Sequence, residues 1–116
     1  MDSRISEGAK EEIFDPKNIS HILLNDEVIR STHAAIDPDC FIVLTNHRIL
    51  FIYDHLFLHS WYSISYHNVT KVHVTNNQRF PEIRFQVLGV PQELTFKFYQ
   101  FQSICELSRK LAKYML

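Results

Sequence analysis

The fold of this chain is decided by the stretch FIVLTNHRILFIY, residues 41–53. It holds the apolar parts of two runs, Cys40–Thr45 and Arg48–Tyr53, joined by a short polar turn. A half-buried strand alternates apolar with polar residues, whereas these runs stay apolar at consecutive positions, as strands buried on both faces do. The stretch therefore predicts a β-hairpin at the centre of a small β-rich domain.

Five further strands and one helix are predicted around this hairpin. The strands are short segments bounded by turn formers: Glu27–Ile36, Trp61–Tyr66, Val69–Thr75, Glu82–Val87 and Glu93–Tyr99. The segment Phe101–Leu116 has apolar residues at helical spacing and is predicted to form a C-terminal helix. Before the strands, Asn18–Leu24 is expected to form a helical turn with Asn18 as its N-cap.

The last two strands allow two registers that keep their apolar faces together. One register sets Glu82 opposite Lys97 and Ile83 opposite Phe96. The other sets Arg84 opposite Lys97. Opposite charges across a strand pair are stabilising and like charges are destabilising, so we predict the first register.

The length and composition favour one folded domain. The 116 residues are 46% hydrophobic and 13% aromatic, far from the profile of a disordered chain. Residues 1–17 are mostly polar and are expected to form a flexible N-terminal segment, with the domain over residues 18–116. Twelve basic residues against thirteen acidic ones give a net charge of -1, so no overall field favours nucleic acid or an anionic membrane.

Three motifs resemble those of bacterial pleckstrin-homology-like (PH-like) domains and the related GRAM domains. Leu44–Phe51 resembles their Leu-Thr-Asn-x-Arg-hydrophobic strand pair, Ile64–Val72 resembles the segment that follows, and Asn25–Ile29 resembles the acidic start of their first strand. The resemblance covers about residues 22–116. It implies a mainly β (α+β) fold, a seven-stranded antiparallel PH-like barrel or sandwich capped by one C-terminal helix.

The chain departs from lipid-binding PH domains in the first predicted hairpin. Those domains carry clustered Lys and Arg there, which hold inositol phosphates. This chain has Asp37 and Asp39 on either side of Pro38, and Arg30 is the cation nearest to them in the sequence. Since carboxylates repel phosphate, we expect the usual phosphoinositide site to be absent.

The connection after the central hairpin is unusually apolar for a loop. It contains or adjoins five large apolar or aromatic residues, Leu56, Phe57, Leu58, Trp61 and Tyr62. Connections between strands are usually polar because their backbone faces water. Three interpretations stay open: the segment covers an open end of the barrel, it binds a protein partner, or it inserts shallowly into a membrane. We take these five residues as the candidate partner-binding site.

Arg48 and the histidines are the other candidates for binding. The Arg48 guanidinium could recognise an anion or carboxylate, or it could hold loop carbonyls or pair with an acid such as Asp54. Seven histidines are present, and His55 and His59 are four residues apart, but no third metal ligand is evident. No Ser or Cys lies in a recognisable nucleophile motif. We therefore predict no catalytic site, no cofactor and no metal.

The remaining cations and the two cysteines predict no further site. Four cations at scattered outward positions are interpreted as a solvated face: Lys71, Arg79, Arg84 and Lys97. They do not alternate with exposed aromatic residues, as a platform for single-stranded nucleic acid would. Cys40 and Cys105 fit no metal or redox spacing, so we expect free, buried thiols in a reducing compartment.

The sequence thus predicts a non-enzymatic interaction module, an adaptor, regulator or inhibitor that binds a protein partner. The alternative is a peripheral membrane module, which would need cations near an inserting loop. No Lys or Arg lies within residues 56–61, and this favours the protein partner. The sequence has no apolar signal near its start and no long apolar run, so we expect a cytoplasmic location. Unpaired strand edges also make a homo-oligomer an expectation.

Overall fold

The computed structural model describes residues 15–53, 60–76 and 79–115. Within these ranges the chain forms seven strands: β1 (Ile29–Ile36), β2 (Asp39–Thr45), β3 (Arg48–Ile52), β4 (Trp61–Ser65), β5 (Val69–Thr75), β6 (Glu82–Val87) and β7 (Leu94–Lys97). One helix, α1 (Phe101–Met115), follows them. The predicted fold class, seven antiparallel strands closed by a C-terminal helix, is confirmed.

The strands form two antiparallel sheets in the order of the sequence. One sheet has the order β1-β2-β3-β4 and the other has the order β5-β6-β7. The sheets meet at one corner, where the backbone N–H of Lys97 donates to the carbonyl oxygen of Asp37 at 2.9 Å. The predicted central hairpin is the β2–β3 pair, in which Phe41 lies opposite Ile52.

The register of the β6–β7 hairpin is the one that charge pairing predicted. Glu82 lies opposite Lys97, Ile83 opposite Phe96 and Arg84 opposite Thr95. Ile83 and Phe96 are buried in this register. The turn that follows β6 contains Gly89 at φ 83°, a left-handed conformation that glycine adopts without a side-chain clash.

The main core lies between the two sheets and α1. Its centre is Phe51, whose ring stacks on Phe96 at 5.1 Å and meets Phe85 edge-on at 6.0 Å. The helix contributes three buried side chains at helical spacing, Ile104, Leu107 and Leu111. Phe101, at the first position of α1, is 38% exposed.

A second apolar cluster covers the outer face of the four-stranded sheet. It is built from two residues of β2 and two of β3 together with Ile19, and Ile22 and Leu23 pack against it. These last three side chains belong to the segment Asn18–Leu24, which was predicted to form a helical turn. The cluster explains why both central strands are apolar at consecutive positions, because each of their faces is covered.

The N-terminal helical turn begins earlier than the sequence indicated. It is a 3-10 helix over Pro16–Ile22, and the residue before it, Asp15, accepts a hydrogen bond from the N–H of Lys17 at 3.0 Å. Asp15 is therefore the N-cap, and the prediction of Asn18 was wrong. Proline suits the first helical position because its missing N–H would have no helical partner there. This helix crosses residue 17, where we expected the flexible segment to end.

Candidate interaction surface

The antiparallel registers define two ends of the barrel. At one end lie the β1–β2 turn, the β5–β6 connection and the residues between β7 and α1, and β3 finishes and β4 starts there as well. We call this the cleft end. At the opposite end lie the β2–β3 turn, the β4–β5 connection and the β6–β7 turn, and we call it the clasp end.

Two of the five predicted partner-binding residues, Trp61 and Tyr62, start β4 at the cleft end. Trp61 is 37% exposed and lies on the outer face, with the guanidinium carbon of Arg48 5.9 Å from its ring. Tyr62 points into the barrel, where its ring stacks on Phe51 at 4.8 Å. The alternation of a strand thus places the two aromatic residues on opposite faces. Leu56, Phe57 and Leu58 lie outside the described residues.

Tyr53 and Tyr62 contact each other below the surface at the cleft end. The rings of Tyr53 and Tyr62 stack at 5.8 Å, and their hydroxyl oxygens are 3.3 Å apart. Burial raises the pKa of both phenols, so both stay neutral and available for hydrogen bonding. The backbone N–H of Tyr53 donates to the carbonyl oxygen of Ser60 at 3.0 Å. The chain therefore leaves and rejoins the sheet at one point of the cleft end.

Arg48 lies at the clasp end and serves the fold. Its Nε donates to Oε2 of Glu27 at 2.9 Å, and its second amino group donates to Oε1 at 3.0 Å. The same amino group donates to the carbonyl oxygen of Ile22 at 2.8 Å. The expectation that Arg48 holds a loop carbonyl and pairs with an acid is confirmed, with Glu27 as that acid; Asp54 lies outside the described residues.

The neighbours of Arg48 in the Leu-Thr-Asn-x-Arg motif bind the same N-terminal segment. The Thr45 hydroxyl donates to Oε2 of Glu27 at 2.6 Å. The Asn46 amide donates to the carbonyl oxygen of Asp26 at 3.0 Å and accepts from the N–H of Val28 at 2.7 Å. We call Glu27, Thr45, Asn46 and Arg48 the clasp. It holds residues 22–28 against the β2–β3 turn.

The carboxylate of Glu27 is the electrostatic centre of the clasp. Its side chain is fully buried in the ion pair with Arg48. Burial alone would raise its pKa, but the hydrogen bonds from Arg48, Thr45 and the N–H of Leu24 outweigh it and lower the pKa to about 2. Glu27 is therefore ionised at any physiological pH, so the charge that pairs with Arg48 is present throughout that range.

The cleft end carries a feature that the sequence analysis missed. An open cleft of about 500 Å³ lies between the two sheets and is lined by six residues: Ile36, Asp37, Arg79, Phe80, Lys97 and Tyr99. The rings of Phe80 and Tyr99 meet edge-on at 6.0 Å, and the Arg79 guanidinium carbon is 5.9 Å from the Phe80 ring. The predicted register of the last hairpin already indicated this cleft. With Lys97 opposite Glu82, the Lys97 side chain comes near the segment that begins at Arg79.

The four cations interpreted as a solvated face differ in their surroundings. Arg84 is held by Glu82 at 3.5 Å, by Glu93 at 3.7 Å and by the Nδ1 of His73 at 2.9 Å. Lys71 is exposed on β5. Arg79 and Lys97 line the cleft, so the interpretation as one solvated face was incomplete.

Two further titratable groups are buried on β1 and β2. His33 is buried on β1 near α1, and its Nε2 is 2.9 Å from the Ser31 hydroxyl. Burial, aided by the charge of Lys110 and opposed by that of Glu106, lowers its pKa to about 4. Burial also raises the pKa of the Cys40 thiol to about 12, which makes it unreactive.

The cysteines, the candidate metal ligands and the helices can be compared with the predictions only within the described residues. Cys40 and Cys105 are both free, the first buried and the second half-buried. Among the residues that the structure describes, no three or more His, Cys, Asp or Glu side chains are grouped to hold a metal ion; His55 and His59 lie outside them. No helix in the described ranges has the length and apolar character needed to cross a bilayer.

Comparison with known families agrees with this architecture. A family model described as Bacterial PH domain matches residues 17–112. The chain belongs to this family. The likeness to GRAM domains stays a prediction. No curated protein matches this PH domain in sequence.

Solved PH domains share the fold. The PH domain from Shewanella amazonensis SB2B aligns with a TM-score of 0.72 and 18% identity over 95% of this chain and 94% of its own. A PH-domain protein from Shewanella loihica PV-4 aligns with a TM-score of 0.70 and 17% identity over 86% and 89%. The Vps36 N-terminal PH domain aligns with a TM-score of 0.62 and 14% identity over 80% of this chain and 82% of its own. At these identities the likeness shows the fold alone.

Proposed function

We propose that this PH domain is a non-enzymatic interaction module, a cytoplasmic adaptor, regulator or inhibitor that binds a protein partner. The partner surface consists of Leu56, Phe57, Leu58 and Trp61, with Tyr62 supporting it from inside the barrel. PH domains commonly bind proteins or lipids, and this chain has that fold. The observation that carries the proposal is the exposed Trp61 at the start of β4, beside the point where the apolar connection rejoins the sheet.

The structure around Trp61 supports a binding role for this surface. Within the described residues, β4 is one of the two edge strands of its sheet and pairs with β3 alone. An edge strand offers backbone N–H and C=O groups to an extended segment of a partner. A large aromatic side chain beside that edge supplies apolar area, and such residues dominate the energetics of protein interfaces. Tyr62, stacked on Phe51, fixes the strand from its inner face.

The charge around this surface favours a protein over a membrane. A loop that inserts into a bilayer is usually accompanied by Lys or Arg that contact anionic headgroups. No such residue occurs within residues 56–61, and the whole chain has a net charge of -1. An apolar segment without cations of its own suits the core of a protein interface, from which charged residues are depleted, and the Arg48 guanidinium beside Trp61 is already paired with Glu27.

The proposal is tested by capture of partners from the native host with the wild-type protein and three variants. Phe57→Asp and Trp61→Ala change the proposed surface. Leu88→Asp is the matched control, because Leu88 is also apolar, is 69% exposed and lies at the clasp end. We expect a partner that is retained by the wild type and by Leu88→Asp and lost by the other two. Retention by all four proteins would contradict the assignment of this surface.

Two further measurements separate the other interpretations. Co-sedimentation with vesicles of phosphatidylcholine, with and without phosphatidylserine, tests the membrane alternative. Binding that Phe57→Asp abolishes would replace the protein partner by a lipid surface. Thermal melts of each variant test whether the segment covers the barrel. If Phe57→Asp lowers the midpoint by many degrees, the segment is part of the core, and partner binding must be assigned elsewhere.

A further inference from the structure

Two cations of the cleft lie beyond ion-pair distance of every described carboxylate, although Glu82 is opposite Lys97 in the register and Asp37 lines the same cleft. Among the described residues, neither the Arg79 guanidinium nor the Lys97 ammonium forms an ion pair. Arg48 and Arg84, by contrast, are bound to carboxylates at 2.9 and 3.5 Å. A concave wall with low-dielectric protein behind it strengthens the field of such cations. The cleft is therefore an attractive site for an anionic group.

The aromatic residues of the cleft add an apolar contact. Phe80 is half-buried and Tyr99 is 69% exposed, and the two rings lie at an interplanar angle of 78°. Edge-to-face pairs leave ring faces open for a further aromatic or aliphatic side chain. The cation–π contact with Phe80 holds the Arg79 guanidinium beside the two aromatic rings. This contact involves no carboxylate, so it leaves the positive charge of Arg79 unneutralised.

Asp37 restricts the class of ligand. Its backbone carbonyl is fixed by the N–H of Lys97, which places the residue on the cleft wall. A carboxylate at this position repels a ligand with several phosphates, such as an inositol phosphate. It also accepts hydrogen bonds, so it favours a ligand that carries N–H donors near its negative group. A peptide with an acidic side chain has both groups.

We propose that the cleft binds an acidic peptide segment. A Glu or Asp side chain of the segment lies between Arg79 and Lys97, its backbone N–H groups face Asp37, and an adjacent aromatic side chain packs on Phe80 and Tyr99. The volume of about 500 Å³ is within the range of small-ligand sites, roughly 300–1,000 Å³. This inference deepens the proposed function and rests on it, since the segment belongs to the protein partner that the surface around Trp61 binds at the same end.

The test uses two blocked pentapeptides as probes, Gly-Phe-Glu-Phe-Gly and its counterpart with Gln in place of Glu. Each is titrated into the 116-residue, nitrogen-15-labelled chain, and the backbone amide resonances are followed. We expect saturable shifts at Asp37, Phe80, Lys97 and Tyr99, with the Gln peptide about tenfold weaker because it lacks the charge. Arg79→Ala and Lys97→Ala should each weaken binding of the Glu peptide about three- to fivefold.

Matched variants and two further probes decide the outcome. Lys71→Ala removes an exposed cation outside the cleft, and Leu88→Asp changes an exposed apolar residue at the clasp end; both should leave peptide binding unchanged. Equal affinity for the two peptides, or shifts that do not saturate, would overturn the inference. Shifts at the cleft with inorganic phosphate or phosphatidylserine vesicles, but not with the peptide, would overturn it in favour of a phosphate ligand. The proposed function fails separately, if Trp61→Ala and Phe57→Asp keep their partner.

Discussion

Both ends of this barrel carry cationic side chains, but those at one end stabilise the fold and those at the other are open to a ligand. At the clasp end, Arg48 is held by two oxygens of Glu27 and by a backbone carbonyl, and the acid is fully buried. At the cleft end, Arg79 and Lys97 line an open cleft beside Asp37 and, within the described ranges, form no ion pair with a carboxylate. A buried cation that is already paired stabilises the fold, whereas an unpaired cation at a rim is available to a ligand.

The difference between the two ends shows that a motif shared with a family need not be a binding site. The motif around Arg48 has the strongest resemblance to a known family, and each of its polar side chains is bound to the N-terminal segment. It therefore marks the scaffold. The cleft cations belong to no motif, and their significance comes from the corner where Lys97 meets Asp37. Removing parts of each end tests whether the division between scaffold and binding site is real.

The largest effect is expected from removing α1, which closes the clasp end. Tyr114 near the end of the helix packs on Tyr66 at 5.8 Å, and Ile104, Leu107 and Leu111 are buried in the core. Each of the three contributes roughly 1.5–3 kcal/mol, against a total stability on the order of 5–15 kcal/mol. A chain that ends at Gln100 should therefore be unfolded or aggregated by circular dichroism. An unchanged cooperative melt would show that the helix is a detachable tail.

Breaking the clasp comes next. Arg48→Ala leaves the buried Glu27 carboxylate without its cation, which should cost about 3–5 kcal/mol in the free energy of unfolding. Arg84→Ala is the matched control, since its ion pairs lie at 3.5 and 3.7 Å on a partly exposed face. It should cost roughly 0–1 kcal/mol. Urea denaturation measures both values, and equal costs would refute the distinction between a buried clasp and a surface pair.

Two buried groups should make the fold sensitive to acid in two separate windows. Folding lowers the pKa of His33 from 6.5 to about 4, so its contribution is complete above pH 6.5 and is lost as the pH falls toward 4. Folding lowers the pKa of Glu27 from 4.5 to about 2, so its contribution is complete above pH 4.5 and is lost as the pH falls toward 2. Each window should account for up to about 3 kcal/mol.

The pH dependence of urea denaturation separates the two groups. His33→Gln should flatten the dependence between pH 6.5 and 4 and leave the lower window intact. Glu27→Gln should be less stable at neutral pH and should flatten the lower window. A wild-type profile that stays level from pH 7 to 4 would contradict the burial of a neutral histidine beneath α1.

The fold was predictable because its signals are local. Strand alternation in Glu82–Val87 fixed a buried face, and one charge pair with Lys97 selected the register. The partner of Arg48 was not predictable in the same way. Glu27 is 21 positions away, and the start of the β1–β2 pair brings it close, where Ile29 lies opposite Thr45 and Asn46 bonds to Asp26 and Val28. The cleft depends on three connections that meet at one end, so no single stretch of sequence encodes it.

The smallest effect on stability is expected at the cleft, and it completes the comparison. Arg79→Ala and Lys97→Ala remove side chains that form no ion pair with any described residue, so each should change the free energy of unfolding by less than about 0.5 kcal/mol. Urea denaturation checks this value beside the peptide titration. Together with weaker peptide binding, the result would assign these two cations to recognition and Arg48 to the fold. A cost comparable to that of Arg48→Ala would mean instead that the cleft cations hold the two sheets together, because no other described contact would explain so large a loss.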